Sequence, residues 1–574
     1  MKRKGQSYLK SNNKTLFFTT SPRTPEKMIP EIKLLVEKFS GCEWYQSNHE
    51  TQVAFMAELA QTDFFLGEGS QSVNDFSARD RIGRGPKPLG FVDLTPTIQI
   101  TQAGNEFING KRPQEVYLRQ LLKFQLPSPF HTESKGITGR FFVRPYLELM
   151  RLVHELGKLS FDECKIFIMK LTHINKYDAV KSSILNFRAE KEKRKGQYKQ
   201  LIDEELKTVV MDIFGDEISR DDTGTRETND KSLKKFVSTK ASNFHDYADA
   251  CFRYLRYTGL FSFSGRSIVV ASEKMSDIEY ILANTDRHPV FIDDESAYKA
   301  HLFSATQPML YADIKDNIVD TVMRIGAFTK RELINMDIEE LKDLRDKLVI
   351  EQRDAVIEAQ ITELKSYSLY SEITEIFNDI HSGTLEFYDA PLMFEYNTWR
   401  AMTMLNGGRI KGNFKIDDIG QPLSTAQGNM PDIECDYGDF ALSVEVTLQG
   451  GQRQYDTEGE PVTRHYARLR QKVQKDTYCL FIAKKVNMAT FEHFWGINQI
   501  PNMTAYGGKP RIIPLELEQF MQLVENSYTY ATTPTPADMR LFLQSAIDQI
   551  EGTTGAAEWK ERIDRCVVEW LMAA

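Results

Sequence analysis

The stretch GNMPDIECDYGDFALSVEVT, residues 428–447, carries the clearest fold signal of the chain. Its last nine residues are mostly apolar, with β-branched residues concentrated at the end, which predicts a largely buried strand. The preceding DIECD lies across a Gly-containing YGD turn, which suits an antiparallel hairpin. Asp432 then opens one strand, and Glu445 lies in the middle of the next. Two carboxylates placed in this way can converge on one hard divalent cation.

Three further segments are predicted to surround this hairpin. Residues 391–405 form a leading helix, residues 461–475 an amphipathic helix, and residues 477–483 (TYCLFIA) a buried strand. The leading helix carries Glu395, which would be the third carboxylate of the site. A PD dipeptide followed by a Glu often occurs by chance, so the ordered elements around it carry the interpretation.

Backbone geometry predicts which groups of the strand face the cation. Side chains alternate along a strand, so Glu445 and Thr447 share one face. Val446 points the other way, although its carbonyl can still turn toward a metal. The order of helix, two hairpin strands, helix and strand is similar to the core of the PD-(D/E)xK nucleases.

Length and composition indicate a soluble multidomain protein. A chain of 574 residues corresponds to about three or four domains, and its 41% hydrophobic and 27% charged residues are ordinary. No apolar run approaches the ~20 residues of a membrane span, and the basic N-terminus lacks the apolar region of a signal peptide. Six scattered cysteines without a CxxC pair favour a reducing cytoplasm and no structural zinc.

The net charge of -9 conceals an uneven distribution. Residues 1–130 hold 17 Lys and Arg residues against 13 Asp and Glu residues, whereas residues 301–380 hold 9 against 16. Nucleic-acid affinity depends on local clusters of phosphate contacts, so such clusters matter more than the total charge.

One basic cluster lies in FSARDRIGRGPK, residues 76–87. It contains Arg79, Arg81, Arg84 and Lys87, with glycines that allow close backbone approach. Arg79 and Arg81 are the stronger candidates for base or phosphate contact, because arginine offers bidentate donors. Two short strands joined by a turn follow the cluster, and they resemble the wing of a winged helix, a helix-turn-helix variant that binds DNA.

A second copy of this layout begins at the predicted helix 246–257. A strand, a Ser-Gly turn and another strand follow it, which predicts a second winged-helix-like unit. Arg253, Arg256 and Arg266 are its candidates for phosphate contact. Arginines on amphipathic helices are also commonly solvated surface residues.

The rest of the chain is interpreted as a connector. Residues 330–361 are charged, with leucines spaced at three and four, which predicts a helical linker and a paired-helix scaffold. The predicted fold is multidomain α+β. Its parts are two winged-helix-like DNA-recognition subdomains at residues 1–140 and 141–285, a helical linker at 286–382, and a PD-(D/E)xK α/β nuclease domain at 383–574.

Several segments in a shared order make the chain resemble the AlwI-like type IIS restriction endonucleases, a group that includes nicking relatives. These segments are SPRTPEKMIPEIKLL (21–35), FSARDRIGR (76–84), FRYLRYTGLF (252–261), residues 428–447, EPVTRHY (460–466) and YCLFIA (478–483). The resemblance implies an N-terminal DNA-recognition region and a C-terminal domain that cuts duplex DNA outside a short asymmetric site. It also implies a cognate methyltransferase.

The resemblance further implies the roles of five residues. Glu395, Asp432 and Glu445 would bind Mg2+, while Glu458 and His465 match family positions near the active site. In-line attack of metal-activated water on a phosphodiester is the expected reaction. His465 would contact the scissile phosphate or position the water, although a lone His on a helix is more often structural.

The chain departs from the wider superfamily at Thr447. A Lys usually stands two residues after the second acid, where it orients the water and stabilises the pentacovalent phosphate. Its absence transfers those tasks to the metal, to His465 or to another cation such as Arg464, or leaves a slower site. The sequence does not choose among these alternatives.

Each chain has one predicted site, whereas a DNA duplex has two strands, so the way in which the second strand is cut is an open question. The second strand could be cut in three ways: by transient pairing of two cleavage domains, by a small nuclease subunit as partner, or by two sequential nicks. A strand-specific nicking subunit is therefore an alternative function. Another alternative is a DNA-binding protein whose nuclease domain is degenerate. Thr447 favours this alternative, whereas the intact set of acids favours an active nuclease.

Overall fold

The computed structural model of the protein describes residues 14–18, 25–62, 75–130, 139–194, 198–225, 228, 230–264, 267–385, 390–405, 407–416, 422–426, 430–530 and 534–572. The chain divides into two compact units, Met1–Lys342 and Asp343–Ala574, called here the first and second units. The finer division into four parts stays a prediction. Within the described ranges, no helix has the length and apolarity that a bilayer crossing requires.

The first unit is mainly helical. Its α-helices include Met28–Phe39, Glu50–Leu59, Asp75–Ala78, Gln102–Asn109, Pro113–Lys123, Pro145–Leu156, Phe161–Phe167, Tyr177–Lys193, Tyr198–Ser219, Leu233–Tyr257, Met275–Asn284, Glu295–Phe303, Lys315–Ile325 and Lys330–Leu333. A π-helical turn spans Arg79–Gly83, and short 3-10 turns span Pro25–Lys27, Ile168–Lys170, Ile174–Lys176, Ser272–Lys274 and Tyr311–Asp313.

The first predicted hairpin is present as two very short antiparallel strands, β1 (Val92–Asp93) and β2 (Gln99–Ile100). The next helix begins after Thr101, whose side chain accepts a hydrogen bond from the Gly104 amide. A Cβ at Gly104 would lie 1.8 Å from the Phe91 carbonyl oxygen, so only glycine allows this helix to pack so closely on the hairpin.

A second hairpin belongs to a three-stranded antiparallel sheet. Its strands are β3 (Leu159–Ser160), β4 (Phe261–Ser264) and β5 (Ser267–Val270), in the order β3-β5-β4. Helix Leu233–Tyr257 directly precedes β4 and begins well before the predicted residue 246. The residue Arg266, at the predicted turn, lies outside the described residues.

A mixed five-stranded sheet forms the centre of the second unit. Its strands are β6 (Arg409–Gly412), β9 (Ile433–Asp436), β10 (Phe440–Thr447), β11 (Asp476–Ala483) and β12 (Ile512–Glu516). The order is β12-β11-β10-β9-β6, with parallel pairs from β12 to β10 and antiparallel pairs from β10 to β6. A separate pair comprises β7 (Lys415–Ile416) and β8 (Pro422–Ser424).

The central strand β10 has an almost uninterrupted buried pattern. A strand covered on both faces is apolar along most of its length, and FALSVEVT follows this rule except at Ser443, Glu445 and Thr447. Burial of an ionisable side chain is unfavourable unless it is paired or coordinates a metal. Glu445 is only 6% exposed, so its position requires an explanation.

Helices accompany this sheet in the second unit. Those in contact with its strands are Ala390–Leu405, Gly451–Val473, Met488–Asn498, Leu517–Thr529 and Pro536–Asp548. Further helices are Ile338–Lys365, which begins within the first unit, Tyr370–Ser382 and Ala556–Glu569. The predicted leading helix, hairpin and following strand are present. The helix predicted at 461–475 instead begins at Gly451 and continues through Pro461. Proline favours the first helical turn, which made the interior of this helix look like its beginning.

Candidate active site

Strand pairing brings the two predicted acids of the hairpin together. Ile433 of β9 pairs with Val444 of β10, so the antiparallel register places Asp432 beside Glu445. The backbone amide of Val446 donates a hydrogen bond of 2.8 Å to Oδ2 of Asp432. This contact fixes the Asp432 side chain against the middle of the central strand.

Two more acids join them from the flanking helices. Glu458, on helix Gly451–Val473, accepts a hydrogen bond of 2.8 Å from the Thr447 hydroxyl through its Oε1. Glu395, on helix Ala390–Leu405, is 7% exposed and accepts the Ala426 amide at Oε2, at 2.9 Å. The structure therefore gathers all four predicted acids around β10.

Each acid of the cluster makes ionisation of the neighbouring acids less favourable. Burial and then the neighbouring Glu445 raise the pKa of Asp432 well above its usual range. Burial, Glu458 and Glu395 raise the pKa of Glu445 in the same direction. Burial also raises the pKa of Glu458, against the opposing effect of the Thr447 hydroxyl. A cluster of this kind gains stability from a positive charge placed among its carboxylates.

His465 completes the cluster from one helical face. Its Nδ1 lies 3.0 Å from Oε1 of Glu445, and its side chain is 14% exposed. Burial, Arg464 and Arg468 lower the pKa of His465 to about 4. The imidazole is therefore neutral at neutral pH, and one of its two ring nitrogens is an acceptor. When Glu445 is ionised, the contact requires Nδ1–H as the donor, which leaves Nε2 as the acceptor.

The donor chemistry of the cluster fits a hard divalent cation, which prefers carboxylate oxygens. In the described part of the chain, no group of three or more His, Cys, Asp or Glu side chains is arranged to hold a metal ion as it stands. The carboxylates are instead engaged by protein donors, as the contacts of Asp432, Glu458 and Glu395 show. Coordination would require some of these side chains to turn.

Gln454 supports the site from one turn before Glu458, and sequence reasoning missed it. Its fully buried amide donates to the carbonyls of Gln449 and Lys485 at 2.8 and 2.9 Å and accepts the Asn487 amide at 2.7 Å. These bonds join the loops that follow the parallel strands β10 and β11. A prediction that the helix begins at Gly451 would have placed Gln454 on the same helix as Glu458 and so identified it.

The predicted DNA-binding cations of the first unit partly converge. Arg81 forms an ion pair with Glu31, a residue only 2% exposed. Burial and the repulsion of Arg81 and Arg253 lower the pKa of Lys27, so the three cations are neighbours although they belong to distant segments. Arg253 also holds Asp249, with Nε 2.9 Å from both carboxylate oxygens.

The other predicted DNA-binding cations have different contact partners. Arg84 forms an ion pair with Asp80 at 3.1 Å. The ammonium of Lys87 donates to the Tyr45 hydroxyl at 2.9 Å and lies over the rings of Tyr45 and Phe130. Arg79 is exposed and Arg256 is half-buried. Their roles in DNA binding stay predictions.

Comparison with known proteins identifies the class. The model of the AlwI restriction endonuclease family matches residues 88–523, more than half of the chain. The protein is thus a site-specific deoxyribonuclease. It belongs to the AlwI restriction endonuclease family, and restriction endonucleases of this family act on DNA and generally use a divalent metal.

The search of solved structures returned several matches. The chain is similar to the small subunit of the heterodimeric restriction endonuclease R.BspD6I, with 25% sequence identity, 34% of this chain and 97% of that subunit covered, and a TM-score of 0.29. The comparison with curated protein sequences gave no match.

Proposed function

We propose that the protein is a type IIS endonuclease that binds a short asymmetric duplex sequence and hydrolyses phosphodiester bonds outside it. The observation that carries this proposal is the gathering of Asp432, Glu445, Glu458 and His465 around the central strand of the second unit. The organisation into DNA-recognition subdomains and a PD-(D/E)xK nuclease domain is part of the same proposal.

Mg2+ is the proposed cofactor, held by Asp432 and Glu445 with Glu395 and the Val446 carbonyl as further ligands. When bound, it would polarise the phosphate and lower the pKa of a coordinated water. The mutual repulsion of the acids supports this assignment, because a cation would relieve it. Mg2+ keeps several of its waters and requires few protein carboxylates, which suits a sparse ligand set.

His465 is proposed to act on the attacking water. With Glu445 ionised against the cation, Nδ1–H donates to this carboxylate, so the contact fixes the ring while Nε2 can accept a proton. Glu445 thereby has two roles, as a cation ligand and as the group that orients the imidazole.

Thr447 does not replace the missing Lys as a cation. Its hydroxyl is occupied by Glu458 and by the Gln449 amide. Arg464 and Arg468 both lower the pKa of His465, so positive charge lies close to the imidazole on the same helix. We propose that this charge supports the phosphate.

DNA reading is assigned to the first unit. The β3-β5-β4 order with helix Leu233–Tyr257 before β4 supports a winged-helix-like arrangement. The proposed DNA contacts are Arg79, Arg81, Arg84, Lys87, Arg253 and Arg256.

How the protein cuts a second strand is part of the same proposal. A transient homodimer, a small nuclease subunit or sequential nicking would each provide the second cut. A strand-specific nicking subunit remains the second candidate function, because the chain carries a single PD…E constellation.

A plasmid assay tests the proposal. Supercoiled plasmid is incubated with wild type, Asp432→Ala or Asp439→Ala, each with Mg2+ or with EDTA. Asp439 is the matched control, since it is an exposed acid of the same hairpin that pairs with Arg540. We expect Mg2+-dependent nicking or cutting by wild type and Asp439→Ala only. Absence of metal-dependent cleavage by wild type would refute the proposed metal-assisted hydrolysis, and sequencing the cut ends would report site, offset and strand.

A further inference from the structure

Asn413 directly follows strand β6 and lies beside the first acid of the candidate site. Gly412 of β6 pairs with Ile433 of β9. The Asn413 amide donates to the Asp432 carbonyl at 2.9 Å, which extends this pairing by one residue. Residues paired across neighbouring strands share one face of a sheet. Asn413, Asp432 and Glu445 therefore form one row on the face that carries the acids.

The side chain of Asn413 holds the residue that precedes Asp432. Its Nδ2 donates to the Pro431 carbonyl at 2.8 Å and lies 3.3 Å from Oε1 of Glu434. The second oxygen of Glu434 accepts the Lys472 ammonium at 2.8 Å. A carbonyl and a carboxylate are both acceptors, so the NH2 group of Asn413 has to face them. These partners fix the amide in one orientation.

The contacts of Asn413 restrict the backbone of Asp432. Two rotatable backbone dihedrals join the Cα of a residue to the peptide planes on either side of it. The Asn413 side chain holds the carbonyl of the preceding plane, and the Asn413 amide holds the carbonyl of the following plane. One neighbour thus sets the direction in which the Asp432 side chain leaves the backbone. The Val446 amide then fixes its Oδ2 at 2.8 Å.

We propose that Asn413 is a positioning residue that holds Asp432 in place for the divalent cation. The inference rests on the proposed function, in which Asp432 is a ligand of Mg2+. A ligand whose direction is fixed beforehand loses less conformational freedom on binding. Groups that orient the ligands of a metal site typically contribute about 10–100-fold to metal affinity or activity. Loss of the Asn413 amide should therefore weaken cation binding although every proposed ligand is still present.

The test measures cation binding and cleavage separately. Mn2+, which suits the same oxygen ligands as Mg2+, is titrated into the full-length protein without DNA. Electron paramagnetic resonance of the free ion gives the dissociation constant. Single-turnover plasmid nicking at increasing Mg2+ concentration gives the midpoint of the metal dependence. Thermal unfolding and duplex affinity, both measured in EDTA, report on the fold and on DNA binding.

The variants are Asn413→Ala and Asn413→Leu. Both remove the amide and retain the backbone bond to Asp432, and leucine also keeps the volume of the side chain. Asn526→Ala is the matched control, because the Asn526 amide donates to the carbonyls of Val567 and Trp570 at 3.0 and 3.2 Å. Its loss removes bonds of the same kind from the same unit. Asp432→Ala shows the effect of removing a ligand itself.

We expect both Asn413 variants to bind Mn2+ at least about tenfold more weakly and to require correspondingly more Mg2+ for nicking. Their duplex affinity in EDTA should stay at the wild-type value. Asn526→Ala should have a lower melting temperature and wild-type metal midpoints. Unchanged Mn2+ binding by Asn413→Ala would overturn the inference, as would an equal shift in Asn526→Ala. Wild type that binds Mn2+ no better than Asp432→Ala would instead refute the proposed cation site.

Discussion

The hydroxyl of Thr447 donates a hydrogen bond of 2.8 Å to Oε1 of Glu458, at the position where the resemblance to PD-(D/E)xK nucleases predicts a lysine. The same hydroxyl accepts the Gln449 amide at 3.1 Å. The side chain therefore ties the end of the central strand both to an acid of the site and to the following loop. Its role is to position Glu458.

Replacing this hydroxyl should impair cleavage. Thr447→Val keeps the shape but leaves Glu458 and the Gln449 amide without their partner, which costs roughly 1–3 kcal/mol of stability. We expect a plasmid-nicking rate about tenfold lower, with unchanged duplex binding in EDTA. Thr447→Ser retains the hydroxyl and is the control. A Val variant as active as the Ser variant would contradict the positioning role.

The imidazole of His465 should be required for the chemical step. His465→Asn removes the acceptor at Nε2, and loss of a general base typically lowers the rate by about 10²–10⁴-fold. Single-turnover nicking with Mg2+ should show this loss, while duplex affinity in EDTA stays at the wild-type value. The exposed Asp456→Asn is a suitable control on the same helix. Full activity of the Asn variant would exclude His465 from the reaction.

How far the sequence reveals this site depends on local patterns. The apolar run of β10 and the YGD turn are local signals, so they predicted the hairpin and the pairing of Asp432 with Glu445. The beginning of helix Gly451–Val473 depends on packing that overrides the usual position of a proline, so Gln454 escaped notice. The pairing of Arg81 with Glu31 joins segments fifty residues apart, and no local pattern encodes it.

Gln454 should support both stability and activity. Gln454→Leu leaves two carbonyls and one amide without partners in a buried place, so we expect a loss of roughly 2–4 kcal/mol and a lower nicking rate. Thermal unfolding and single-turnover nicking measure the two effects. Gln452→Leu, an exposed position on the same helix, should leave both near wild type. Equal behaviour of the two variants would contradict the assignment.

Lys123 should make the free energy of unfolding depend on pH in the alkaline range. Its buried ammonium donates to the carbonyls of Leu302 and Ser304, at 3.0 and 2.7 Å, at the C-terminal end of helix Glu295–Phe303. Burial and then Arg119 lower the pKa of Lys123 to about 7. The folded protein thus releases this proton more readily than the unfolded chain, whose lysine keeps its ordinary pKa of about 10.5.

The sign of the effect follows from proton uptake. Between pH 7 and about 10.5 the unfolded state binds the additional proton, so stability should rise with pH across this window. The melting temperature of wild type should therefore increase more from pH 7 to pH 9 than that of Lys123→Met. Lys38→Met, at an exposed lysine, should follow wild type. Parallel pH dependences of wild type and Lys123→Met would refute this prediction.

The contact between Arg81 and Glu31 allows stability and DNA binding to be measured separately. Glu31 is almost fully buried, and removing its partner leaves an uncompensated carboxyl group. Arg81→Met should therefore destabilise the protein by roughly 3 kcal/mol. Burial raises the pKa of Glu31, so proton uptake by this carboxyl limits the cost. Any loss of DNA binding by this variant alone would be ambiguous.

The double variant Arg81→Met/Glu31→Met removes the buried charge together with its partner. Replacement of a whole buried ion pair by apolar residues is often neutral for stability, so we expect a melting temperature near wild type. Duplex affinity should nevertheless remain reduced if Arg81 contacts DNA, because the guanidinium is absent. Glu31→Met alone leaves Arg81 in place and should bind at least as well as wild type. Recovery of affinity in the double variant would show that Arg81 serves only to hold Glu31.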